Sequence, residues 1–328
     1  MEMGLCPAKD GIPLWREKKL KRPIMVQAPM SGVSDEAFRL MLLKYGAPDA
    51  FWTEFVSVDG LFSRGKDYCL GVLKHSNKLK PIVAQFFGSV PENFEKAAKM
   101  AKELGFDGID INMGCPDRNI GKTGAGADLI KNPKLAVEII RATKRGAGKI
   151  PVSVKTRIGY KKNEIKEWIS VILEEKPAVL TVHFRTKEQM YAPPANWELA
   201  KDIVKIRDKI SPKTLIFGNG DVASLKQAKE LAKKYNLDGI MVGRALLGNP
   251  WFFYGKEPDL KERLSAIVEH AEIFNNLYNK KSWDRLKKHF HSYAKNFRGS
   301  KELRESLMKT KNVEDVKKTI VDFLSNLC

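Results

Sequence analysis

The stretch Gly108-Ile109-Asp110-Ile111-Asn112-Met113-Gly114-Cys115-Pro116 decides how the chain reads. Its first six residues form a short, mostly apolar run with the length of a buried strand. Gly114 and Pro116 then break the run, and the break carries a thiol. A helical pattern follows from Pro133 to Lys144, with proline in its first turn. This strand–loop–helix unit recurs along the first 250 residues.

Seven further runs have the same character. They are Ile24–Pro29, Ala50–Phe55, Ile82–Phe87, Val152–Arg157, Val179–Arg185, Thr214–Gly218 and Gly239–Gly243. Helical patterns lie between most of them: Asp35–Tyr45 with Ser34 as N-cap, Pro91–Leu104, Asn163–Glu174, Trp197–Ile210 and Ser224–Tyr235. The segment after the second run is the weakest helix. Eight such units in about 250 residues predict an α/β fold, a (β/α)8 barrel of parallel strands. After Pro250 the strand pattern stops. Leu260–Tyr278, Trp283–Phe297, Ser300–Lys309 and Val313–Leu327 read as helices. The expected organisation is a barrel domain over residues 1–250 and a small all-helical domain over 251–328.

A doubly wound dinucleotide fold is the rival. Gly218-Asn219-Gly220-Asp221-Val222-Ala223 fits G-x-G-x-x-A after a strand. That fingerprint belongs to the first strand of its domain, and this is the seventh run. The next acid, Asp238, precedes the following strand and could not reach a ribose.

The 328 residues are 43% hydrophobic and 30% charged, an ordinary globular balance. No apolar run reaches the roughly 18 residues of a membrane span, and no N-terminal signal stretch is read. A cytoplasmic protein without a membrane partner is expected. Cys6, Cys69, Cys115 and Cys328 are scattered without C-x-x-C spacing, so neither a disulfide framework nor a metal site is assigned.

The formal net charge is +19, which points to a polyanionic partner. One run is dense. Lys280, Lys281, Arg285, Lys287, Lys288, Lys295 and Arg298 face one acid, Asp284, with His289, His291, Tyr293 and Phe297 interleaved. It reads as a nucleic-acid-binding helical surface.

In a barrel, chemistry sits on the loops after the strands. The polar residues there are Ser31, Glu54, Gln85, Asn112 with Cys115, Lys155 with Arg157, His183 with Arg185, Asn219 with Asp221, and Arg244. Gly218-Asn219-Gly220 and Gly243-Arg244 suit a phosphate, because glycine lets backbone N–H groups approach the anion. Lys155 and Gln85 could hydrogen-bond a planar heterocycle such as a flavin. Cys115 stands without a second cysteine or a Cys–His spacing, so proton donor is its most economical role.

These residues, in this order, resemble the tRNA-dihydrouridine synthase family. The likeness runs from Ile24 to the last helices. It is carried by Ala28-Pro-Met-Ser31, Ala84-Gln85 with Gly88-Ser89, Asn112-Met-Gly-Cys-Pro116, Gly124-Ala-Gly-Ala127, Val154-Lys-Thr-Arg-Ile-Gly159, His183-Phe-Arg-Thr186, Tyr191 to Trp197, Asn219-Gly-Asp221 and Gly243-Arg244.

The resemblance implies FMN held by Pro29, Met30, Ser31, Gln85, Lys155, His183, Asn219, Gly220, Asp221, Gly243 and Arg244. It implies that Cys115 gives a proton to C5 of uracil while reduced flavin gives hydride to C6, with NADPH or NADH as reductant. Asn112, Arg157, Arg185 and Tyr191 would line the pocket for a flipped uridine. Lys287 and Lys288 are assigned to tRNA phosphates. Pro193 stands where the family usually has glycine, so the loop after the sixth strand is expected to differ. A monomer with no obligate protein partner is expected.

Two other functions fit the residues less completely. A small-molecule flavin barrel, such as a dihydroorotate dehydrogenase, leaves +19 and the basic tail unexplained. A non-catalytic RNA-binding protein leaves Cys115 and the polar rim unexplained.

Overall fold

The computed structural model describes residues 22–278 and 282–326. Cys6, Lys280, Lys281 and Cys328 lie outside them. Eight strands form one parallel sheet: β1 Ile24–Gln27, β2 Phe51–Ser57, β3 Ile82–Phe87, β4 Gly108–Met113, β5 Val152–Arg157, β6 Val179–His183, β7 Leu215–Asn219 and β8 Gly239–Val242. Their order is β1-β8-β7-β6-β5-β4-β3-β2. A single parallel bridge, Val26 to Ala50, joins β1 to the start of β2 and closes the barrel.

The helices are α1 Glu36–Tyr45, α2 Val58–Leu61, α3 Lys66–Leu73, α4 Pro91–Glu103, α5 Arg118–Gly121, α6 Pro133–Ala147, α7 Ile165–Glu174, α8 Ala200–Ile210 and α9 Leu225–Tyr235. Four more follow β8: α10 Leu260–Leu277, α11 Asp284–Tyr293, α12 Ser300–Lys309 and α13 Val313–Ser325. The weak second segment holds two short helices. The N-cap of α1 is Asp35, not Ser34: its carboxylate accepts from Phe38 N at 3.0 Å. Ser34 is used elsewhere, its Oγ accepting from Met30 N at 2.8 Å inside the preceding turn.

Alternation along the strands sorts the side chains. One set packs outward against the helices: Ile109 and Ile111 on β4, Leu180 and Val182 on β6, Ile240 and Val242 on β8. The other set fills the barrel. Its lower layers are apolar, with Ile24, Val26, Trp52, Val83, Val179, Leu215, Phe217 and Met241 in one cluster. Nearer the carboxyl ends the inward positions become polar: Gln85, Asp110, Asn112, Ser153, Thr181, His183 and Asn219 are all buried. The helices pack closely outside. At Gly146 of α6 an added Cβ would sit 2.1 Å from the Glu95 carbonyl of α4, so only glycine fits that crossing.

The last four helices sit on α1 and on the loop after β1. Glu269 of α10 takes Lys44 Nζ at 2.5 Å and Tyr45 Oη at 2.6 Å. His289 of α11 donates from Nε2 to the Val33 carbonyl at 3.0 Å and stacks 4.3 Å from Phe38. Burial holds His289 neutral, its pKa pushed down to about 4. This corrects the reading of α11 as a mixed basic and aromatic face. His289 and Tyr293 are buried, and Phe297 packs on Phe323. The helix is amphipathic, and its rings belong to the joint with the barrel. Lys288 and His291 remain exposed; Lys287 is partly covered and pairs with Asp284 at 2.7 Å. Among the described residues no helix is long and apolar enough to cross a membrane.

Candidate active site at the C-terminal mouth of the barrel

Strand register brings the polar inward residues side by side. Gln85 pairs with Asp110, Asn112 with Lys155, Arg157 with His183, and His183 with Asn219. Above them a cavity of about 200 Å³ opens at the carboxyl ends of the strands. It is lined by Pro29, Met30, Gln85, Asn112, Cys115, Lys155, Arg157, His183, Tyr191, Asn219, Gly220, Asp221, Gly243 and Arg244.

Not every expected site residue belongs to that lining. Ser31 is exposed. Arg185 is buried behind the wall, donating from Nε to the Pro193 carbonyl at 2.5 Å, from Nη1 to His183 Nε2 at 3.0 Å, and to Asp221. Lys287 and Lys288 belong to α11. The lining also contains Ala28, Phe55, Gly114, Pro116, Val222 and Met241, to which the sequence assigned no site role. They are apolar or small: Gly114 and Pro116 marked the loop, but no polar group marked any of the six as a contact. Only the inward register of β8, two residues before Gly243, could have found Met241.

A larger hollow, about 1380 Å³, opens at the opposite end of the barrel beside Arg22, Lys149, Arg207 and Asp238. None of the candidate residues reaches it. Its buried Arg207 is spent on Asp238 at 2.9 Å and on the Thr214 carbonyl at 2.9 Å. The chemistry of a barrel belongs to the other face.

The family model described as Dihydrouridine synthase (Dus) matches residues 26–327. The chain belongs to the dihydrouridine synthase family. A Bacillus subtilis (strain 168) protein named probable tRNA-dihydrouridine synthase 2 is 41% identical over 317 residues, 94% of this chain and 96% of that one. A Staphylococcus aureus (strain MRSA252) protein named probable tRNA-dihydrouridine synthase is 39% identical, covering 94% and 95%. Among solved structures, a variant of NCR from Zymomonas mobilis aligns with TM-score 0.51 and 16% identity over 72% of this chain and 88% of that one. Morphinone reductase gives 0.51 and 11%, over 73% and 88%. At such identities the two structures speak for the shared barrel alone.

Electrostatics in this dihydrouridine synthase fold separate the mouth into distinct groups. Burial pushes the Cys115 thiol above its ordinary value, so it keeps its proton at neutral pH. Burial, then the neighbouring Arg157, lowers the Lys155 ammonium to about 8. It remains a cation below that pH. His183 is held well below its usual range by burial and by four surrounding cations. It is neutral, and because Arg185 can only donate to Nε2, the ring proton sits on Nδ1.

Arg157 spends Nε on the Gly114 carbonyl at 2.8 Å, and Nη1 on those of Thr186 at 2.8 Å and Met190 at 3.0 Å. It staples the loop after β4 to the loop after β6. Asp221 is partly buried, which works against its charge. Hydrogen bonds from Arg185 and Ala195 N and the charge of Arg244 nonetheless hold it below the usual carboxylate range. Arg244 in turn lies 5.2 Å under the Tyr191 ring. Pro193 serves this arrangement through its carbonyl, which needs no N–H. Asn219 gives its amide to the Met241 carbonyl at 2.8 Å and so ties β7 to β8. Gly220 has φ +128°, and an added Cβ would lie 2.7 Å from Ala195. Among the described residues no group of three His, Cys, Asp or Glu side chains could hold a metal ion.

Proposed function

We propose that the protein reduces uridines in tRNA to 5,6-dihydrouridine with FMN as its flavin. The observation that carries this is one cavity holding a protonated thiol, Cys115, and a half-buried cation, Lys155. The names of the curated relatives agree with the substrate.

The mouth fits FMN on its own residues. Among the described residues Lys155 has no hydrogen-bond acceptor, and it lines the cavity, so an electron-rich heterocycle edge is its natural partner. A volume of about 200 Å³ is less than the ~300–1,000 Å³ of a whole-ligand pocket. It suits the ring system, with the phosphate outside on Gly220, Gly243 and Arg244. Pro29, Met30, Gln85, His183 and Asn219 would complete the cradle. His183 would donate from Nδ1, its one N–H. Asp221 would act by orienting Arg244, and Ser31 only from the rim. Bound FMN, re-reduced by NADPH or NADH, supplies hydride for C6 of the uracil ring.

The protein's own part is placement and a proton. Cys115 gives its proton to C5, and burial keeps that thiol loaded. Asn112 and Nη2 of Arg157, which has no hydrogen-bond partner among the described residues, face the uracil, and Tyr191 stacks at the entrance. Arg185 acts through His183 and Asp221. The target uridine is flipped into the mouth, since a stacked base cannot reach it. The C-terminal helices, residues 251–328, form the RNA-binding domain, with Lys288 on its open side. The enzyme acts as a monomer in the cytoplasm.

Mass spectrometry of unmodified tRNA after incubation with protein, FMN and NADPH tests this. A gain of two hydrogens at one uridine is the expected result. No gain, in a protein that binds flavin, overturns the substrate assignment.

A further inference from the structure

A polar path runs down the inside of the barrel beneath Cys115. Its lowest member is Asp110 in the middle of β4, fully buried and outside the cavity lining. Both of its oxygens accept. Gln85 Nε2 donates to Oδ2 at 2.5 Å and Ser153 Oγ to Oδ1 at 2.6 Å. The donor end of Gln85 is thereby committed, and its Oε1 faces Asn112, accepting from Nδ2 at 3.0 Å. Asn112 is left with Oδ1 towards the loop. That oxygen accepts from Gly114 N at 3.1 Å and Cys115 N at 2.9 Å.

The geometry follows from the strands. Asp110 and Asn112 are two apart on β4 and share its inner face. Gln85 is the direct register partner of Asp110. An amide has a donor end and an acceptor end, and a flip of either amide would set like against like. A buried mismatch of that kind is costly, so the direction of the path is determined from its base.

We infer that Asp110 is a positioning residue for the reactive loop: it orients Gln85, Gln85 orients Asn112, and Asn112 holds the backbone of Gly114 and Cys115. The inference rests on reading Cys115 as the proton donor. It adds a residue that touches neither ring nor thiol and acts through two others, Gln85 and Asn112. Without it the Cys115 backbone loses a fixed anchor, and the thiol no longer keeps one place above the ring.

The test is site-resolved alkylation by iodoacetamide of the full chain with no nucleotide or RNA added, with peptides of Cys115 and Cys69 quantified by mass spectrometry. Asp110→Leu removes the acceptor. It should speed modification of Cys115 about tenfold, as loss of one buried anchor allows, with Cys69 unmoved. Asp110→Asn still offers Gln85 an oxygen and should stay within about twofold of wild type. An unchanged Cys115 rate in Asp110→Leu overturns the inference. So does a parallel rise at Cys69, the buried thiol that would report general loosening. If Asp110→Leu does not fold, Gln85→Leu cuts the same path one step higher, and an unchanged rate there overturns it equally. Failure of the uridine-reduction reading looks different: the alkylation pattern holds while wild-type protein leaves tRNA unmodified.

Discussion

Arg285, on a C-terminal helix, donates to the buried carboxylate of Glu54 in strand β2. The other oxygen of Glu54 accepts from the backbone of Gly32 at 2.5 Å, next to the cavity residue Met30. One carboxylate therefore links α11, the barrel wall and the first site loop. Arg285 also lies 3.7 Å from Asp35 and 5.5 Å from the centre of the Tyr278 ring.

Arg285→Ala leaves Glu54 and Asp35 facing each other with Arg39 as their remaining cation. Removing one partner of a buried pair is expected to cost about 3 kcal/mol. Urea denaturation at neutral pH measures it. A midpoint equal to wild type would show that the joint carries no load.

Asp35 gives the same joint a pH dependence. Burial, and then the charge of Glu54, raise its pKa from 3.8 to about 6. Between those values the folded protein holds a proton that the unfolded chain has released. The stability this proton brings is complete below 3.8 and lost as pH rises through 6. Asp35→Asn keeps an N-cap acceptor but buries no charge. Its stability relative to wild type should therefore rise between pH 4 and 7 in paired denaturation curves. A difference independent of pH refutes the assignment.

Cys115→Ala should keep bound flavin and lose turnover by about 10²- to 10⁴-fold, the usual weight of a general acid. Flavin absorbance and single-turnover tRNA reduction read the two quantities separately. Full activity would remove Cys115 from the reaction.

Lys155 offers a second pH test. With its pKa at about 8, its charge is present below that value and fades above it. Flavin affinity should weaken as pH rises through 8, and Lys155→Met should bind weakly at every pH. Titration of apoprotein with FMN, followed by fluorescence, decides. An affinity that is flat across pH 7 to 9 in wild type would detach Lys155 from the ring.

Charge reversal at Lys288 should weaken tRNA binding. It should also lower the slope of log K against log salt by about one for each phosphate no longer neutralised. Lys287→Glu should do less, because Asp284 already neutralises Lys287. Equal slopes for wild type and Lys288→Glu would move the RNA surface elsewhere.

The barrel was legible because its strands are buried on both faces, and such runs stand out against polar helices and glycine-rich breaks. β3, β4 and β5 begin and end where the sequence reading put them. The shifts are local. β6 ends at His183, because Arg185 turns back to bond the Pro193 carbonyl. The mouth was legible wherever a polar side chain interrupted an apolar run, as at Gln85, Lys155 and His183. What sequence alone hides is direction. Arg157 and Arg185 are equally basic on paper, yet one lines the cavity and the other is spent behind it. His289 and Tyr293 read as an RNA face, because a helix in sequence does not say which side meets the barrel. Asp110 drew no notice because its partners come from β3 and β5, and strand neighbours are invisible until the sheet is built.

The seam between β1 and β2 is the barrel's thinnest, a single bridge from Val26 to Ala50. Gly32 follows one of these strands and Glu54 belongs to the other, and Arg285 fastens the link between them. A chain emerging from the ribosome has presented all eight strands before Arg285 is made. The first seam laid down is thus fastened by a residue translated after the last strand.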